Sequence, residues 1–145
     1  MKQFFLVVFF LPLTFVLAEA QETLDTLKTI NMHSIRYADF NNNQYTLSGA
    51  KLTYNPIQPI NSSSGTYSGG EPMESQLTED QLTEIYQAAS ILADKESLHL
   101  EKRRMLTAVL SFKPATAETS IRYILARSEE VQAFETLLKE ALQPD

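Results

Sequence analysis

Twice in this chain a pair of alternating segments is followed by a capped amphipathic stretch. That order restricts the fold more than any other feature. The first pair begins in residues 27–40, LKTINMHSIRYADF, where Ile30 and Met32 share one parity and Ile35 and Tyr37 the other. A strand with a bend at the change of parity is expected there. Asn41-Asn42-Asn43 suits a tight turn, because asparagine tolerates positive φ. Residues 44–54, QYTLSGAKLTY, alternate again and change parity at Gly49, which predicts a β-bulge in one continuous strand. Pro56 and Pro59 end it.

Leu77-Thr78-Glu79-Asp80-Gln81-Leu82 reads as a helix start. Thr78 and Gln81 form a capping box, Leu77 and Leu82 occupy the hydrophobic-staple positions, and Glu79 and Asp80 complement the helix dipole. Leu82, Ile85, Tyr86, Ala89 and Leu92 then make one apolar stripe, fading near residues 94–97.

The second pair repeats the order. Residues 98–112 are expected to form one long strand, with Leu98, Leu100, Leu106, Ala108, Leu110 and Phe112 facing inward and Lys102 and Arg104 interrupting that face. After a loop at 113–118, residues 120–127 return with Ile121, Tyr123 and Leu125 on one side. Ser128 caps a final helix whose stripe is Val131, Phe134, Leu137, Leu138, Ala141 and Leu142. Glu135 and Lys139 are expected to pair on its wet face. The predicted fold class is α+β in ββαββα order: a four-stranded antiparallel sheet with both helices packed on one face. The halves share no residue-level repeat, and a sheet with a bare face could bring two copies together as a homodimer.

Residues 1–20, MKQFFLVVFFLPLTFVLAEA, read as a signal peptide: Lys2, an apolar run from Phe4 to Leu17, then the small-x-small pattern Ala18-Glu19-Ala20. Cleavage after Ala20 would leave a single soluble domain, residues 21–145, with no later segment apolar enough to span a membrane. The expected location is therefore periplasmic or secreted. An exported chain with no cysteine relies on its core rather than on disulfides. The formal net charge of −6 argues against nucleic acid as a partner.

Little in the sequence points to catalysis. The two histidines, His33 and His99, each lie without an acidic or histidine partner at ligand spacing. The chain has neither HExxH, GxSxG nor a P-loop. No metal or cofactor is expected, and the chain is expected not to be an enzyme. One alternative is a small hydrolase using carboxylates of the 61–80 region, where Glu71, Glu74, Glu79 and Asp80 cluster. Two features suggest binding instead. The long Ser/Gly/Pro loop at 55–76 holds three of the four glycines around Tyr67 and ends near Glu71. The run Lys102-Arg103-Arg104, with Arg122 and Arg127 on the expected partner strand, forms a cationic stripe that could dock an unidentified protein or another anionic envelope component.

The run SSSGTYSGGEP, Ser62 to Pro72, followed by the amphipathic helix and the basic segment, resembles a type of small exported protein from Bacteroidota. The resemblance implies a bacterial, exported protein. It brings no activity, cofactor or site.

Overall fold

The computed structural model describes residues 32–114 and 118–143, which belong to one compact unit. The expected signal peptide and the expected strand residues before Met32 lie outside the described residues. Among the described residues the fold is α+β, with six strands and two α-helices. The strands are β1 (Met32–Ala38), β2 (Gln44–Ser48), β3 (Lys51–Asn55), β4 (Met73–Gln76), β5 (Ala108–Pro114) and β6 (Ile121–Leu125). The helices are α1 (Glu79–Asp94) and α2 (Glu129–Ala141). One sheet holds all six strands in the order β4-β3-β2-β1-β5-β6, and every pairing is antiparallel.

The sheet thus has six strands rather than four, and the order is ββββαββα. Two local events account for the difference. First, residues 44–54 are a hairpin, not one bulged strand. Ser48 pairs with Lys51, so Gly49 and Ala50 form a two-residue turn, with Gly49 at φ 59°. Positive φ at the first central residue is what a tight hairpin turn needs and what glycine supplies without strain. A two-residue turn changes parity just as a bulge does. It leaves Leu47 opposite Leu52, with both side chains in the core. Second, the 55–76 loop ends in a strand: Met73–Gln76 pairs with β3 along the sheet edge.

The expected strand at 98–112 is also broken. Glu96–Leu98 is a single 3₁₀ turn, His99 makes an isolated bridge to Leu125, and the strand proper begins at Ala108. Leu106, expected to face inward, is exposed and has φ 59°. Three consecutive cations cannot alternate into an apolar face, so the chain stays out of the sheet between His99 and Ala108. In β1, the expected change of parity corresponds to a shift of register against β5 between Met32 and Ser34.

Side-chain parity assigns the two faces. Ile35, Tyr37, Tyr45, Leu47, Leu52, Ala108, Leu110, Phe112 and Leu125 share one face and form a single core with helix residues. The capping box of α1 is present. The Thr78 side chain accepts from the Gln81 backbone amide, and Gln81 Oε1 accepts from the Thr78 amide at 3.0 Å. Ile85, Ala89 and Leu92 are the buried part of its stripe. In α2, Ser128 Oγ accepts from the Val131 amide at 3.2 Å, and Val131, Phe134, Leu138 and Ala141 are buried.

Glu135 is a correction: it lies inside rather than on the wet face of α2. Its Oε1 accepts a 2.7 Å hydrogen bond from the buried Tyr37 hydroxyl. The Phe134 ring meets Tyr37 edge-on, with centroids 5.2 Å apart. Burial raises the Glu135 pKa above its ordinary value, and the charge of Asp39 adds to the rise. The Tyr37 hydroxyl, Lys139 and Arg127 act in the opposite direction.

Candidate functional site

The helix-free face of the sheet is polar over β1, β5 and β6, and β1 and β6 carry arginines in one row. Arg36 on β1 stands opposite Ser111 on β5, and Ser111 stands opposite Arg122 on β6. All three have the parity that points away from the core, as the buried neighbours Ile35, Tyr37, Leu110 and Phe112 require. The small serine between two arginines leaves a groove of about 260 Å³, lined also by Asn42, Gln44 and Arg103. One residue along the same face, Ser34 stands opposite Lys113. These two, with Ser120 and Glu118, line an adjoining depression of about 130 Å³. Arg36, Lys113 and Arg122 make no ion pair among the described residues. The groove is smaller than the ~300 Å³ at which pockets enclosing drug-sized ligands begin, and it is open to solvent. Its chemistry is that of a surface that meets an anion, not of a cavity that encloses one.

The basic run contributes unevenly. Arg103 turns onto the groove, where its Nη2 donates to Asn42 Oδ1 at 2.8 Å. Lys102 and Arg104 are exposed on the loop beside it. Arg127 lies with its guanidinium 5.6 Å from the Phe40 ring centroid and does not line the groove. The structure therefore gathers Arg103 and Arg122 from the expected stripe and adds Arg36 and Lys113, which the sequence reading passed over. Arg36 could have been found from parity alone, since it stands between the inward Ile35 and Tyr37. What the sequence hid was the pairing of β1 with β5, more than seventy residues away.

The loop around Tyr67 is held against the domain by a buried polar cluster. Asp39 Oδ1 accepts from the amides of Asn41 and Asn43 at 2.9 and 2.8 Å, which closes the Asn41–Asn43 turn. The buried Asn43 side chain then reaches across to the loop. Its Nδ2 donates to Asp39 Oδ2 at 2.8 Å and to the Tyr67 hydroxyl at 3.0 Å. Its Oδ1 accepts from the Ile57 amide at 3.0 Å. Tyr54 donates to the Gly69 carbonyl at 2.7 Å, and the Gly69 amide donates to the Ile57 carbonyl at 3.2 Å. Burial, reinforced by Asp39 and Tyr67, pushes the Tyr54 hydroxyl up to about 12. Gly69 is required by close approach: a Cβ there would stand 2.0 Å from Asn43 Oδ1. Tyr67 keeps an exposed edge of its ring, but its hydroxyl is committed to Asn43.

The acidic candidates are dispersed. Glu71 is exposed, and Glu74 on β4 pairs with Lys51 at 2.7 Å. The depression that Glu74 lines contains Thr53, Tyr54, Asn55, Pro72 and Met73, with neither a second carboxylate nor a histidine. Glu79 and Asp80 are exposed in the first turn of α1. The His99 ring packs on Tyr123 at 4.8 Å, and its Nε2 lies 2.9 Å from the Leu92 carbonyl. Among the described residues, no group of three or more His, Cys, Asp or Glu is arranged to hold a metal ion.

A further concavity, about 530 Å³, runs between α1 and α2. Ala88, Leu92, Phe134 and Leu137 form its floor, and Glu84 and Glu140 are among its polar members. Glu130 also lines it and meets the Lys95 ammonium, which holds its carboxyl down at about 2. The groove between the helices thus holds three glutamates, one of them paired with Lys95, where the opposite face of the sheet holds the arginine row. No protein-family model, curated protein or solved structure matches this chain.

Proposed function

We propose that this protein is an exported, non-catalytic binding module of a bacterial envelope that recognises an anionic partner through the helix-free face of its sheet. The observation that carries the reading is the row Arg36–Ser111–Arg122, with Arg103 turned onto it, in a chain of net charge −6. A stable domain of this size has no need of cations side by side that make no ion pair among the described residues, because their mutual repulsion opposes folding. Arginine also suits the role: its planar fork pairs bidentately with carboxylate, phosphate or sulfate oxygens. Ser111 supports the reading by leaving room for such a group between the two forks.

A cation-exchange resin carrying sulfonate groups tests this at pH 7 and low ionic strength. A chain of net charge −6 should flow through unless its cations are segregated on one face. The wild-type protein is expected to be retained, and the Arg36→Ser/Arg122→Ser variant to flow through with its thermal stability unchanged or raised, since the substitutions relieve repulsion. Failure of the wild type to bind, or equal retention of the variant, would rule out this face as the anion site.

A further inference from the structure

The loop beside the arginine row ends in two exposed apolar residues. Met105 is 93% exposed and Leu106 is 55% exposed, directly after Lys102-Arg103-Arg104. Isolated apolar side chains at a surface need no explanation. Here two are adjacent, they follow three cations, and the loop that holds them is fixed at both ends. The Leu100 amide donates to the Ile124 carbonyl at 2.8 Å, and the Ala126 amide donates to Leu98 at 2.8 Å. On the return, Thr107 Oγ1 donates to the Arg104 carbonyl at 2.8 Å, and Ala108 pairs with Leu125. Leu106 takes positive φ, a conformation that a branched apolar side chain rarely adopts. The loop is a short, braced projection with a basic flank and an apolar tip.

We infer that the anionic partner is a bilayer surface, and that Met105 and Leu106 enter its headgroup–acyl boundary while the neighbouring cations meet lipid phosphates. This rests on the anion-binding reading of the arginine row and names its partner. A polysaccharide or an acidic protein surface would satisfy the arginines and leave the apolar tip in water. An anionic bilayer satisfies both, since interfacial binding combines buried apolar area with attraction of Lys and Arg to lipid charge. The distribution of charge then fixes the orientation. Glu84 and Glu140 border the groove between the helices and disfavour approach by that side, which leaves the loop end and the arginine face as the surface that meets the bilayer. No helix among the described residues is long and apolar enough to cross a membrane, and attachment of this kind needs none.

The chain contains no tryptophan, so one introduced indole reports its own surroundings. In Met105→Trp the emission is expected to shift to the blue with phosphatidylglycerol vesicles and to stay fixed with phosphatidylcholine vesicles. In Ile91→Trp, placed on the exposed side of α1 away from the sheet, it is expected to stay fixed with both. Adding Arg36→Ser and Arg122→Ser to Met105→Trp should weaken vesicle binding about thirtyfold, since each cation near an anionic surface contributes about fivefold. A silent Met105→Trp, or equal shifts at residues 105 and 91, overturns the membrane inference. Where the same protein is still retained on the sulfonate resin, the anion-binding reading survives that result; where it is not retained, both fall.

Discussion

Tyr37 and Glu135 show how a single contact reverses a local rule. By spacing, Glu135 belongs with Lys139 on the solvent side of α2, but Tyr37 offers it a hydroxyl inside the core. Glu135→Ala is expected to destabilise the protein by about 1–3 kcal/mol, because the tyrosine hydroxyl would be left buried without an acceptor. Glu135→Gln separates charge from hydrogen bonding. Burial raises the folded-state pKa of Glu135, so the folded protein keeps that proton to higher pH than the unfolded chain does. Stability therefore falls as pH rises above the ordinary value of 4.5, and it levels off once the folded-state carboxyl has ionised. The glutamine keeps an acceptor oxygen and never ionises. It is expected to be more stable than wild type at pH 7 and to lose that advantage near pH 4. Denaturant midpoints at the two pH values measure both effects. A Glu135→Gln advantage that grows toward low pH would contradict the assignment.

Among the elements, the start of α1 was the most legible from sequence. Its capping box, acidic first turn and apolar stripe all stand within a few residues of one another, so local chemistry alone specifies it. Thr78→Ala is expected to cost about 1 kcal/mol, read as a lower denaturant midpoint with an unchanged slope. The strands were legible in type but not in number. Gly49 marked a change of parity, and a bulge and a two-residue turn produce the same mark. Only the pairing of Ser48 with Lys51 separates them. Met73–Gln76 was missed because MESQ has almost no apolar side chains; at the sheet edge it is held by backbone pairing with β3. The stretch 98–112 erred the other way, since alternation continued through positions that leave the sheet.

Across the described residues, two surfaces differ in charge. The arginine row and Lys113 occupy the helix-free side of the sheet, while Glu84, Glu130 and Glu140 border the groove between the helices. Attraction between exposed charges is screened within about 10 Å at 0.1 M salt. Retention on the sulfonate resin is therefore expected to be lost at modest ionic strength. Met105→Ser should elute together with wild type, because the apolar tip adds nothing on a hydrophilic resin. Later elution of wild type than of Met105→Ser would show that the tip contributes to anion binding itself. The exposed cations Lys102 and Arg104 flank this surface, and the row at its centre comes from Arg36, Arg122 and Arg103.

The sequence by itself determined the α+β class, both helix starts and the inward or outward facing of most strand residues. Those properties depend on side chains a few positions apart, and capping and alternation express them directly. Tertiary structure decided which strands are neighbours, how the loop around Tyr67 is held, and that Arg36 joins Arg122. β1 sits beside β5 because backbone donors and acceptors of both strands pair there while Ile35, Tyr37, Leu110 and Phe112 close one core. Asn43 holds the loop only because Tyr67, Ile57 and Gly69 return to it from beyond β3. Contacts of this range depend on which strand or loop a buried face and a backbone edge meet, and that choice of partner leaves no mark on nearby residues that a local pattern can register.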